Sequence, residues 1–123
     1  SAFLYYFFKY PSSSVVHTVE MEIISLSQVK LFIKDTRFKD QTRIENSIKI
    51  LSDKGSNVRF PDSKQVEVDI FELRISGATE TRIFYTFHKD TIFLIYAYQK
   101  QSQKLPKRIL HYVIWLKNQL TKI

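Results

Sequence analysis

The sequence predicts an α+β domain in which an N-terminal helical hairpin, a small antiparallel β-sheet and a C-terminal helix follow one another. Three observations predict this fold class. Apolar residues recur at helical spacing before residue 55, alternate at strand spacing between residues 66 and 87, and return to helical spacing after Pro106. The chain has 123 residues, which is enough for one domain but short for two.

The region before residue 55 predicts a short strand at residues 22–24 and two helices, at about residues 25–35 and 40–53. Asp40 is a suitable N-cap for the second helix. Gly55 stands where a helix C-terminus favours a residue with positive φ. The two helices therefore form the predicted hairpin, with its connection near residues 36–39.

The middle of the chain predicts strands joined by short turns, and hence an antiparallel meander. Apolar residues occupy even positions from 66 to 70 and odd positions from 71 to 75, which predicts a bulge or bend near residue 70. A second strand alternates at residues 83–87. Residues 92–98 are apolar at every position, as expected of a central strand covered on both faces. A last helix is predicted from Lys107 to about Thr121.

Composition excludes several classes of site. The chain has no cysteine and only two glycines, which excludes a disulfide scaffold, a cysteine-bearing zinc site, a cysteine nucleophile and a glycine-rich phosphate loop. The three histidines are scattered, and no metal or cofactor is predicted. No stretch reaches the ~18 apolar residues that span a membrane.

The net charge of +7 favours an anionic partner, which could be a nucleic acid, an acidic protein or a membrane surface. The last carboxylate of the sequence is Asp90, and six lysines and arginines follow it. Residues 1–20 add no net charge, are interrupted by Pro-Ser-Ser-Ser at 11–14 and precede Met21, which opens the regular pattern. We therefore expect an N-terminal extension at 1–20 and one domain at 21–123. If ordered, the Tyr- and Phe-rich extension favours an added edge strand.

Two arginines form the first candidate site. If the hairpin is centred on Ala78, Arg74 lies directly opposite Arg82, and Glu72 lies on the same face. Two interpretations remain open: a structural ion pair with Glu72, or a phosphate held between two guanidinium forks.

The end of the third strand supplies further candidates. Tyr98 can stack on a base or take part in proton transfer, and Lys100 and Lys104 can hold phosphate. The alternatives are a half-buried strand aromatic and solvated lysines. A three-residue loop at 88–90 would place Tyr98 on the Arg82 face, whereas a two-residue turn at 89–90 would turn it away.

Three segments carry a family resemblance: Phe71-Glu72-Leu73-Arg74-Ile75, Thr81-Arg82-Ile83-Phe84-Tyr85, and the run from Ala97 to Pro106. With the helical hairpin before Gly55 and the Phe60-Pro61 that follows, they resemble the phage-derived HigB-like toxins of the RelE superfamily, over about residues 21–108. The chain departs from the family pattern at Thr81, Ala97 and Gln101.

The resemblance implies a cytoplasmic, metal-independent endoribonuclease that cleaves ribosome-bound mRNA by attack of the 2′-OH on the adjacent phosphate. It implies a partner antitoxin of the helix-turn-helix, HigA-like type, and no cofactor. The residues matched to roles are Arg74 and Arg82 (phosphate stabilisation), Lys100 (the family's strand-end lysine), Tyr98 (base stacking), and Lys104, Lys107 and Arg108 (RNA binding).

Two other functions remain open at this point. One is a non-catalytic RelE/ParE-like protein that binds an antitoxin or a topoisomerase, and the other is a plain RNA-binding domain. Convergence of Arg74, Arg82, Lys100 and Tyr98 in one groove would favour the nuclease.

Overall fold

The computed structural model describes residues 20–122, and the edge strand expected from the N-terminal extension lies outside them. The described elements are β1 (Glu22–Ser25), α1 (Ser27–Asp35), α2 (Phe38–Lys54), β2 (Ser63–Glu67), β3 (Ile70–Ile75), β4 (Thr81–His88), β5 (Thr91–Gln99) and α3 (Lys107–Leu120), with a 3₁₀ turn at Gly55–Asn57. None of the helices in this part of the chain is long and apolar enough to span a bilayer.

The five strands form one sheet in the order β1-β5-β4-β3-β2. Strands β2 to β5 form the predicted antiparallel meander. Strand β1, however, pairs in parallel with β5, so the sheet is mixed and the prediction of a purely antiparallel sheet is wrong. The α+β class is confirmed, but the helical pair follows β1 and does not begin the domain. The long chain between β1 and β5 allows this parallel pairing.

Helix α2 begins at Phe38, two residues before the predicted N-cap. Asp40 lies buried in the first turn of the helix, with Oδ2 at 3.7 Å from Nε of Arg37. Its Oδ1 lies only 2.9 Å from the position that a Cβ would take at Gly77, so the carboxylate packs against the β3–β4 turn. The helix ends at Gly55 with φ of 54°, as the sequence predicts.

The change of parity near residue 70 comes from a reversal of the chain. Residues 68–69 form a tight turn between β2 and β3, where Asp69 has φ of 58°. Aspartate tolerates this left-handed conformation better than most residues. The expected bend of one long strand is therefore a hairpin, and β2 becomes the edge of the sheet.

Both faces of the sheet are covered. One core lies between the sheet and helices α1 and α2, and includes Val29, Ile44 and Leu73. The other lies on the opposite face beneath α3, and includes Phe84, Ile95 and Val113. Strand β5 contributes to both cores, which confirms the prediction from its continuous apolar run.

Candidate functional site

Arg74 and Arg82 are directly paired across β3 and β4, as the turn centred on Ala78 predicts. Side chains alternate along a strand, so Arg82 shares its face with Phe84, on the side of the sheet that carries α3. Helix α3 packs against the Phe84 end of this face. The two arginines lie toward the other end of the strands, beside the β3–β4 connection.

A β-bulge brings Tyr98 to the same face. The turn after β4 has two residues, Lys89 and Asp90, with φ of 49° and 61°. Such a turn alone would pair Arg82 with Ala97 and turn Tyr98 away. The register shifts at Ile95, however, because Phe84 pairs with Tyr96 while Tyr85 pairs with Leu94. The shift pairs Arg82 with Tyr98.

Glu72 lies between the two arginines and is the centre of an ion-pair network. Its Oε1 is 3.5 Å from Nε of Arg74 and 3.8 Å from Nε of Arg82. The phenol of Tyr98 donates a hydrogen bond of 3.2 Å to its Oε2. The geometry thus contains the structural ion pair that was one of the two interpretations of the sequence.

Arg82 is also held from a second side. Its Nη1 donates to Glu80 Oε2 at 3.0 Å and to the carbonyl oxygen of Thr81 at 3.2 Å. Arg82 and Glu72 are each 6% exposed, so the pair is buried. A buried charge is costly unless it is paired, and two carboxylates meet that need here. Glu80 is a site residue that the sequence analysis missed, although its even position before β4 matches that of Arg82.

The arginines border a cleft of about 550 Å³, which we call the first cleft. Its charged lining residues are Arg74, Arg82, Lys100, Asp62 and Glu80. Two backbone hydrogen bonds join the segments that line it. The amide of Arg74 donates to the carbonyl oxygen of Asp62, and the amide of Lys100 donates to the carbonyl oxygen of Glu80, both at 2.8 Å. The first cleft therefore brings together three of the four predicted catalytic residues.

Tyr98 lies beside the first cleft and lines a second one. This second cleft, of about 560 Å³, is bordered by Tyr98, Lys100, Lys104 and Arg108. The ring of Tyr98 stacks on Phe84 with centroids 5.7 Å apart. Burial, followed by the charge of Glu72, raises the pKa of the phenol well above its usual value. Tyr98 is thus a neutral hydrogen-bond donor, committed to Glu72.

The three predicted RNA-binding residues are all exposed at the start of α3 and in the segment before it. Lys104 and Arg108 line the second cleft, whereas Lys107 does not contribute to either cleft. Lys100, Gln101 and Ser102 line both clefts, so the segment after β5 separates them. Among residues 20–122, no group of three or more His, Asp or Glu side chains is placed to hold a metal ion.

These features define a small α+β protein with a cationic cleft beside a buried ion-pair network. Comparison with known families matches residues 32–113, two thirds of the chain, to the family described as phage-derived protein Gp49-like (DUF891). The chain belongs to this family. The matched region contains the whole ion-pair network and every residue that lines the first or the second cleft. No curated protein matches the chain.

Proposed function

We propose that the protein is the toxin of a type II toxin–antitoxin system, a metal-independent endoribonuclease of the RelE/HigB-like type that cleaves ribosome-bound mRNA in the cytoplasm. The observation that carries the proposal is the joint placement of Arg74, Arg82 and Lys100 at the first cleft. Cations held on a strand and at its end are suited to the charge that develops on a phosphate during cleavage. Membership of a phage-derived family is consistent with this function.

The proposed reaction needs no group from outside the chain. The 2′-OH of one nucleotide attacks the adjacent phosphate, and the bond to the 5′ oxygen of the next nucleotide breaks. Asp62 and Glu80, the carboxylates that line the first cleft, are the candidate acceptors for the 2′-OH proton. Lys100 is the candidate donor to the leaving oxygen. Arg74 would contact the phosphate, while the buried Arg82 acts through its charge and its contact with Glu80.

A cognate antitoxin, HigA-like and of the helix-turn-helix type, is the partner that this proposal implies. Such a partner would have to neutralise or cover the first cleft. The partly exposed cations of the first cleft, Lys100 and Arg74, are the groups available to acidic side chains of the partner.

One observation favours a second function. The guanidinium of Arg82 is already engaged by Glu80 and Glu72, and the phenol of Tyr98 is committed to Glu72. These contacts also fit a non-catalytic RelE/ParE-like protein that acts by binding an antitoxin or a topoisomerase. A plain RNA-binding domain would use the same cations without cleavage.

Inducible expression in bacteria, with growth and mRNA integrity as readouts, tests the proposal. The wild-type chain should arrest growth and cleave mRNA, and Arg74→Ala and Lys100→Ala should each reduce cleavage by roughly 10²–10³-fold. Lys30→Ala removes an exposed cation from α1, which packs on the opposite face of the sheet, and should behave as the wild type.

Arg74 and Lys100 are the better test residues because both are more exposed than Arg82. Growth arrest with intact mRNA, unchanged in the Arg74→Ala/Lys100→Ala double variant, would contradict the nuclease and support the protein-binding function. RNA binding without cleavage or growth arrest would support the plain RNA-binding domain.

A further inference from the structure

The surface of α3 carries an exposed aromatic stack. Tyr112 and Trp115 are 49% and 56% exposed, and their rings lie nearly parallel, with centroids 6.2 Å apart and an interplanar angle of 11°. Tyr96 of β5 meets Tyr112 edge-on at 5.8 Å. The three-residue spacing of Tyr112 and Trp115 places both on one side of the helix. Large aromatic rings grouped in solvent commonly mark a binding surface.

A continuous path connects this stack to the first cleft. A third cleft, of about 340 Å³, is lined by Tyr96, Arg108, Ile109 and Tyr112. It shares Arg108 and Ile109 with the second cleft, which in turn shares Lys100 with the first. The three clefts therefore adjoin one another from Arg74 to Tyr112.

The charge along this path identifies the occupant. The second and third clefts are lined by Lys100, Lys104 and Arg108, and by no carboxylate of the described residues. The sequence itself has no Asp or Glu after Asp90. Proteins that bind single-stranded nucleic acid combine a cationic groove along the phosphate backbone with aromatic rings on which the bases stack. The second and third clefts and the aromatic stack have this combination.

We propose that Tyr112 and Trp115 form a base-stacking platform for single-stranded RNA, reached from the first cleft through the second and third. This inference rests on the proposed function, since RNA is the polymer that the first cleft would cleave. The platform would hold the strand on one side of the scissile phosphate. It adds affinity for the flanking nucleotides without taking part in the reaction.

Trp115 is the single tryptophan of the chain, so its fluorescence reports directly on the platform. The probe is a 12-nucleotide single-stranded RNA with 2′-O-methyl groups, which block cleavage, titrated into the full chain. We expect binding to quench the tryptophan fluorescence. Trp115→Ala should weaken binding of the labelled RNA by between about 5-fold and 150-fold, the range for loss of one stacked base. Trp115→Phe should recover most of the lost RNA affinity.

Three controls separate stacking on Trp115 from charge, from the loss of any exposed aromatic side chain and from folding. An abasic oligonucleotide of the same length keeps its phosphates but has no bases, so Trp115→Ala should not change its affinity. Phe38→Ala removes another exposed aromatic side chain, 72% exposed on α2, and should bind the RNA as the wild type does. The melting temperature of Trp115→Ala should match that of the wild type because the side chain is exposed.

Several outcomes would overturn the platform. Unquenched tryptophan fluorescence at saturating RNA, or an unchanged RNA affinity of Trp115→Ala, would contradict the platform. If Arg74→Ala and Lys100→Ala still lost RNA binding in that case, the proposed function would stand without the platform. Dimerisation without RNA that Trp115→Ala abolishes would assign the surface to a second copy of the chain. Absence of RNA binding by the wild type would overturn the platform, whereas mRNA cleavage in the expression test would still support the nuclease.

Discussion

Arg74 and Arg82 face each other across two strands, and their Nε atoms lie 3.5 Å and 3.8 Å from the same oxygen of Glu72. Two cations in directly opposed positions repel each other, and the carboxylate between them offsets that repulsion. Glu80 adds a second carboxylate on the far side of Arg82. The network holds both guanidinium groups beside carboxylates. The proposed phosphate stabilisation would need such preorganised cations.

Arg82→Ala should destabilise the protein, because it leaves the buried Glu72 with one cation fewer. We expect a loss of about 1–3 kcal/mol in the free energy of unfolding, measured by urea denaturation. Arg82→Lys should recover part of the loss, since the ammonium keeps the charge but not the planar fork. Arg59→Ala removes an exposed guanidinium and should change stability by less than about 0.5 kcal/mol.

An unchanged stability of Arg82→Ala would show that the buried ion pair is not a structural element of the sheet. A stability loss accompanied by full RNA cleavage would instead remove Arg82 from the reaction. Measuring unfolding and cleavage on the same two variants separates these roles.

The pairing of Arg74 with Arg82 could be predicted because a short turn and strict alternation together fix the register. The position of Tyr98 could not. Strand β5 is apolar on both faces, so its sequence has no parity signal to reveal the shift at Ile95.

Two other features escaped prediction for related reasons. The parallel partner of β1 depends on a contact between strands about 70 residues apart, which no local pattern encodes. Glu80 has the parity of Arg82 but precedes the first residue of β4, so the alternation along the strand does not by itself place it beside Arg82. Its contact with Arg82 depends on the path of the β3–β4 connection.

Tyr98 gives the stability a dependence on high pH. Burial and then Glu72 raise the pKa of this phenol in the folded protein, whereas a tyrosine in an unfolded chain titrates near pH 10. The contribution of Tyr98 to the free energy of unfolding is complete below pH 10. It declines above pH 10 because the phenol loses its proton in the unfolded chain before it does so in the folded protein. Burial also raises the pKa of Tyr85, so both phenols contribute to the decline.

We therefore expect the free energy of unfolding to fall as the pH rises above about 10, and to fall less steeply in Tyr98→Phe, with measurements spaced by about half a pH unit. Tyr112→Phe removes an exposed phenol and serves as the matched control, with the wild-type decline. Equal slopes in Tyr98→Phe and the wild type would show that this phenol ionises equally in the two states.

RNA binding should weaken steeply with salt. Three to four phosphate contacts on a single strand imply a slope of about −2 to −3 for the logarithm of the binding constant against the logarithm of the salt concentration. The cations of the first and second clefts that are exposed enough to contact phosphates are Arg74, Lys100, Lys104 and Arg108. Lys104→Ala should make the slope shallower by about 0.7, and Lys30→Ala should leave it unchanged. A flat dependence would favour a protein partner.

Residues 1–20 should be dispensable for folding, because Met21 already joins the start of the fold to helix α2 by two hydrogen bonds. The amide of Met21 donates to the carbonyl oxygen of Ser52 at 2.9 Å, and the Ser52 hydroxyl donates back to the carbonyl oxygen of Met21 at 2.6 Å. These bonds fix the start of β1 to the end of α2. A chain that begins at Met21 retains both.

Thermal unfolding of two shortened chains tests this prediction. The chain beginning at Met21 should unfold cooperatively, with a stability within about 1 kcal/mol of the full chain. A chain beginning at Ser27 lacks β1 and should lose at least the ~1.5–3 kcal/mol that burial of Ile23 contributes, because this side chain packs into the core beneath α1 and α2. If the chain that begins at Met21 showed no cooperative transition, residues 1–20 would be needed for folding.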